Sequence, residues 1–127
     1  MFKIWENLAT CNLLESYTPE GWIIVDVRDL NDSAENTIEA VKQKITIIGN
    51  LLGCGQKVIV RCMAGMSRSN TLACASMMLF TREHGWDHYW NVVEKACPRA
   101  RQNIEFVDIV KKALLEIGVD RKRLYYA

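Results

Sequence analysis

The chain has 127 residues, 50% of them hydrophobic, with 16 basic and 15 acidic side chains and a formal net charge of +1. That length and apolar content suit one compact domain over residues 1–127, and the balanced charge provides no global field to recruit nucleic acid or a membrane surface. No apolar run approaches the length of a membrane span, and the opening MFKIWENLAT lacks a signal-peptide pattern.

In chain order, a short strand is expected around Lys3 to Leu8, then a break at Thr18-Pro19-Glu20-Gly21. Trp22 to Val27 (WIIVDV) reads as a buried strand. A helix from about Ala34 to Leu52 carries Ile38, Val41, Ile45, Ile48 and Leu52 at helical spacing, and Gly53 and Gly55 stop it. Lys57 to Val60 is the next strand, and Ser69 to Phe80 (SNTLACASMMLF) a buried helix, ended by Gly85. Trp86–Ala96 and Ile104–Ile117 are the last two helices, with Trp86, Tyr89 and Trp90 in a core or groove-facing role and Asp120 to Arg123 a solvated basic end. This alternation implies an α/β domain whose mostly parallel central sheet has helices on both faces, with the active site beyond the C-terminal strand ends.

The most informative stretch is Cys62-Met63-Ala64-Gly65-Met66-Ser67-Arg68-Ser69, which joins a strand to a helix N-terminus. Unpaired N–H groups and the positive end of the helix dipole converge there, and a loop of small residues lets the amides of Met63 through Arg68 turn inward as an anion nest. Such a setting lowers a thiol from about 8.5 to roughly 3.5–7.5. Arg68 supplies a planar fork for two phosphate oxygens, and Ser69 a hydroxyl to assist the sulfur as leaving group. A thiolate under a phosphate seat points to nucleophilic attack on phosphorus. An acid must then protonate the departing oxygen. The strand Trp22–Val27 leads into Arg28-Asp29-Leu30-Asn31-Asp32, which offers Asp29 and Asp32, although Asp29, Asp32 or Ser33 would also serve as a helix cap.

Arg61 through Ser69 resembles the HCxxGxxRS signature of the protein-tyrosine-phosphatase superfamily, in its small dual-specificity type, with Arg61 in the place of histidine. The likeness runs from about Trp22 to Leu115. It implies a dual-specificity-phosphatase-like fold with the phosphate loop between a central strand and helix. In that family the acid lies six residues before the first apolar residue of the next helix, which selects Asp32 over Asp29. Cys97 to Phe106 resembles the family's RPxxxPNxxF segment, with Gln102 in place of proline. Asn103 there matches an asparagine that braces the phosphate loop, and it is also a good helix N-cap. In that family the histidine helps set the thiolate, so either Arg61 takes over that task or the substitution is a surface accident and the loop amides alone hold Cys62 ionised. Pleat alternation points the Arg61 side chain away from Cys62, beneath the loop, where Glu94, Glu105 or Asp26 would have to pair it.

The activity implied is hydrolysis of phosphotyrosine, and of phosphoserine or phosphothreonine, through a cysteinyl-phosphate, by a monomer with no cofactor and no metal. The loop has no lysine to favour inositol lipids, so phosphorylated proteins are the expected substrates. Cysteines 11, 54, 62, 74 and 97 form no CxxC or paired metal spacing, and a working thiolate suits the reducing cytoplasm. His84 and His88 lack further ligands for a metal. Two other readings stand beside this one. Ile24 to Arg28 resembles a rhodanese strand, but the usual rhodanese loop has four residues between cysteine and arginine where this one has five. A phosphate-loop binding module without turnover is the other, on account of Arg61.

Overall fold

The computed structural model describes residues 1–12, 19–64 and 66–126, so Thr18 of the expected break and Gly65 of the phosphate loop lie outside the described residues. The elements are β1 (Phe2–Trp5), β2 (Leu8–Cys11), β3 (Trp22–Asp26), α1 (Ile38–Gly53), β4 (Lys57–Arg61), α2 (Arg68–Phe80), α3 (Trp86–Ala96), α4 (Ile104–Ile117) and α5 (Arg121–Tyr125). Sheet order is β1-β2-β4-β3. Strands β2 and β3 run parallel to β4 on either side of it, and β1 pairs antiparallel with β2. The mostly parallel sheet is thus present, and its interior strand β4 delivers Cys62.

Interior parallel strands are buried on both faces, and β4 shows it. Val58 and Val60 join Leu8, Val25 and the buried residues of all five helices in one cluster. Ile59 instead joins Ala9 and Cys11 in a second cluster on the opposite face, with Trp22 and Ile24 packed against it. Among the described residues the helices therefore flank one face of the sheet, where alternation alone suggested both. The physical reason is topological: α1 lies in the β3–β4 crossover, whereas the parallel connection from β2 to β3 has no helix among its described residues.

Several boundaries differ from expectation. Instead of one strand over Lys3 to Leu8, the chain turns at Glu6-Asn7 and forms a hairpin. The Asn7 carbonyl accepts the Val58 N–H at 2.9 Å, fixing that turn to the start of β4. Helix α1 begins at Ile38, because the Thr37 hydroxyl accepts the Ala40 N–H at 3.1 Å as its N-cap. Helix α2 stops at Phe80, and Gly85 is the N-cap of α3. In the basic tail Asp120, Arg121 and Lys122 are exposed as expected, but Arg123 is not. The tail forms α5, from which Arg123 donates to the carbonyls of Met78, Thr81 and His84 at 2.8–3.2 Å, satisfying orphan acceptors at and beyond the end of α2.

Where α1 packs on α2, a Cβ at Gly49 would lie 2.9 Å from Leu79 Cδ2, so a larger residue there would require that side chain to shift. Trp86, Tyr89 and Trp90 are buried, as their spacing suggested. No described helix is long and apolar enough to cross a membrane.

Candidate active site

Strand β4 ends at Arg61 and α2 begins at Arg68, so the intervening loop lies over the first turn of a helix with its N–H groups uncommitted to helical bonds. Cys62 is 2% exposed, and its Sγ lies 3.3 Å from Oγ of the fully buried Ser69. Arg68 donates from Nη1 to the carbonyls of Leu30 at 2.7 Å and Arg28 at 3.2 Å. One corner of the guanidinium thus grips the β3–α1 loop, and the fork retains donors on Nε and Nη2.

Asn70 supports the loop from below, a role the sequence analysis missed. Fully buried, it donates from Nδ2 to the Met66 carbonyl at 3.0 Å and accepts the Thr10 hydroxyl at 2.8 Å. A signal was available: an asparagine in a wholly buried helix start needs partners, because an unpaired buried amide costs about 1–3 kcal/mol. The Arg101 N–H also donates to the Met66 carbonyl, at 2.8 Å.

The two acid candidates separate cleanly. Asp29 is 66% exposed and pairs with Lys44 of α1 at 3.2 Å. Asp32 lies across from the phosphate loop, where its Oδ1 accepts the Ser67 hydroxyl at 2.7 Å. Its loop is shaped by a reciprocal pair: Asn36 Oδ1 accepts the Asn31 N–H and Asn36 Nδ2 donates to the Asn31 carbonyl, both at 2.8 Å. Leu30, 3% exposed, anchors the same loop in the core. These bonds explain why residues before Thr37 remain outside α1.

Asn103 holds the acid loop, where the sequence suggested a brace on the phosphate loop. Its Nδ2 donates to the Asp32 carbonyl at 2.9 Å, while Oδ1 caps α4 by accepting the N–H groups of Glu105 and Phe106 at 3.0 and 3.3 Å. Both uses of the side chain coexist. Such a cap contributes about 1 kcal/mol.

Arg61 resolves onto Asp26, its in-register neighbour on β3, with Nη2 donating to Oδ2 at 2.9 Å. Glu94 and Glu105 are not its partners. Alternation places Arg61 on the sheet face of Ile59, opposite the face that Cys62 joins, so it lies beside β3 and not beneath the loop. Burial pushes the Asp26 carboxyl up, but bonds from Arg28 and Arg61 outweigh it and hold the group well below the usual carboxylate range.

Asp32, Cys62, Ser67 and Arg68 line one cavity of about 280 Å³. Ala64 and Met66 of the loop line it too, while Met63 is 54% exposed at the surface. Arg101, Gln102 and Asn103 complete the wall; of these, the sequence pointed to Asn103, noted Gln102 only for replacing proline, and did not single out Arg101. The basic Arg99-Ala100-Arg101 run was the available sign of a second cation near the seat. His84 and His88 stack on each other with centroids 3.9 Å apart and do not line this cavity. A thiol, a guanidinium and a carboxyl group thus converge on one cavity.

Comparison with known proteins agrees with this geometry. The family model for "Dual specificity phosphatase, catalytic domain" matches residues 3–114. No curated protein matches the sequence significantly. Among solved structures, human DUSP28 is similar with a TM-score of 0.74 at 14% identity, covering 92% of this chain and 97% of that one. The human tyrosine phosphatase-like serine/threonine/tyrosine-interacting protein is similar at 20% identity and a TM-score of 0.57, covering 87% and 78%. PTPMT1 in complex with PI(5)P gives 18% identity and a TM-score of 0.58, covering 69% and 56%.

Proposed function

Because the chain belongs to the dual specificity phosphatase catalytic-domain family, we propose that it is a cysteine-dependent phosphatase that hydrolyses phosphotyrosine, and phosphoserine or phosphothreonine, in proteins. The observation that carries this reading is the convergence of Cys62, Arg68 and Asp32 on one cavity.

The Cys62 thiolate attacks phosphorus in line, forming the P–S bond as the P–O bond to the substrate breaks. Arg68 and the loop amides from Met63 to Arg68 compensate charge on the equatorial oxygens. Protonated Asp32 gives its proton to the departing oxygen. Water then attacks the cysteinyl-phosphate, Asp32 takes the water's proton, and the P–S bond breaks to return the thiolate. Ser69, 3.3 Å from the sulfur, stabilises that leaving thiolate by donating its hydroxyl hydrogen. Asn103 supports the step through its bond to the Asp32 carbonyl.

The absence of lysine from the loop favours phosphoproteins over polyanionic lipid headgroups. A monomer acting in the reducing cytoplasm fits a working thiolate, and among the described residues no disulfide joins the cysteines. The deciding experiment compares hydrolysis of an aryl phosphate with sulfur transfer from thiosulfate to cyanide. Cys62-dependent phosphate release with no thiocyanate is the expected result. Thiocyanate production would establish a sulfurtransferase instead, and phosphate binding without either turnover a binding module.

A further inference from the structure

The residue before the nucleophile departs from its family, and the structure shows what that residue touches. Arg61 Nη2 donates to Asp26 Oδ2 at 2.9 Å across the β3–β4 ladder. The same carboxylate accepts Arg28 Nε on both oxygens at 2.9 Å and the Arg28 backbone N–H at 3.0 Å, and its Oδ2 lies 2.8 Å from Arg28 Nη2 as an ion pair. Two guanidiniums therefore share one carboxylate at the point where β3 gives way to the acid loop. The three side chains are 22–39% exposed, between buried and surface. Lys44 of α1 closes the cluster from the other side, donating to the Asp26 carbonyl at 3.0 Å and pairing with Asp29 at 3.2 Å.

From this root the contacts run straight to the chemistry. The carbonyls of Arg28 and Leu30 accept Arg68 Nη1, and Asp32 follows two residues after Leu30. Planar charge-assisted pairs fix orientation as well as distance. Arg61 pairs directly with a carboxylate on the sheet face opposite Cys62, which weakens its field at the sulfur although the two guanidiniums leave the cluster one positive charge in excess.

We propose that Asp26, Arg28 and Arg61 are positioning residues that set the acid loop, so that Arg61 serves proton donation by Asp32 and not ionisation of Cys62. This rests on the phosphatase reading above. Its consequence is a split between leaving groups that a merely structural role would not produce.

The test uses Asp26→Asn and Arg61→Met on the full chain, with phenyl phosphate and 4-nitrophenyl phosphate as substrates. The phenyl ester needs the acid, so its kcat should fall about tenfold or more, within the range for general acid catalysis. The 4-nitrophenyl ester should change by less than about threefold, and KM for both should stay near wild type. Arg61→Lys should recover part of the loss, and the pH dependence of Cys62 alkylation by iodoacetamide should not move. Equal losses on both esters, or an alkylation curve displaced in Arg61→Met, overturns the proposal. Should Arg61→Met not fold, the near-isosteric Asp26→Asn carries the same comparison. If wild type releases no phosphate, the phosphatase reading has failed separately. Hydrogen exchange still decides the positioning role: the amides of Arg28, Leu30 and Asn31 should exchange about tenfold faster in Asp26→Asn, a local destabilisation. Unchanged exchange there overturns it.

Discussion

The Ser67 hydroxyl donates to Oδ1 of Asp32 at 2.7 Å, joining residues 35 positions apart. The last residue of the phosphate loop thereby touches the carboxyl proposed as acid. Ser67 Oγ makes no cap bond to the helix it precedes, because it is turned toward the other loop.

Asp32→Asn should slow phenyl phosphate hydrolysis by about 10²–10⁴ and activated aryl esters far less. Asp29→Asn, which removes only an exposed pair with Lys44, should leave both rates within about twofold, since isolated surface pairs contribute little. A leaving-group dependence in Asp29→Asn that is missing from Asp32→Asn would transfer the role of acid.

Cys62→Ser should abolish turnover while vanadate or phosphate still binds, because Arg68 and the loop amides survive the change. Rapid-quench detection of phosphate on the thiol in wild type checks the intermediate directly. Turnover within about tenfold of wild type in Cys62→Ser would rule out covalent catalysis at that sulfur.

Arg68→Lys should lose about 3 kcal/mol or more of transition-state stabilisation in kcat/KM, since a point charge cannot span two oxygens while also holding the Leu30 carbonyl. Both KM and kcat should worsen. Unaltered kcat/KM would remove Arg68 from the site.

Asn70→Ala should destabilise the fold by about 1–3 kcal/mol, as it strands the Thr10 hydroxyl and a bond to the Met66 carbonyl. Denaturant unfolding measures the cost. Phosphate affinity should fall as well, because the loop floor loses its brace; unchanged affinity would mean that Arg101 alone suffices to hold Met66.

The Asp26 cluster adds a signed pH dependence. A carboxyl held below its ordinary value in the folded state stabilises fully above that ordinary value, and the contribution is lost as pH falls through the folded one. Wild type should therefore exceed Asp26→Asn in stability at neutral pH, with the gap closing only under strongly acidic conditions. A gap constant down to about pH 2 would show that hydrogen-bond shape and not charge is responsible.

Much of this molecule was legible before its structure. β4 and α2 follow from continuous apolar runs because they are buried on all sides, and α3 and α4 follow from helical spacing because each buries one face. The place of the loop between β4 and α2 was legible because the patterns of its flanking strand and helix adjoin it in sequence. The hairpin at Glu6-Asn7 was not, since neither glycine nor proline marks the turn and tertiary pairing to β4 decides it. The links from Asn103 to Asp32 and from Arg61 to Asp26 were likewise beyond pattern reading. Those bonds join residues 71 and 35 positions apart in the chain, and only packing chooses among possible acceptors. Asn70 could have been found by asking what a buried amide must bind.

Arg68 and its neighbour Ser67, together with Asn103 at the start of α4, hold the Asp32 loop against the phosphate seat. Where a catalytic group has to swing inward, that swing takes roughly microseconds to milliseconds and often paces the whole cycle. Here three bonds resist any such swing. Turnover of slow-leaving esters should then be indifferent to solvent viscosity, with bond breaking rather than diffusion of a flap keeping time.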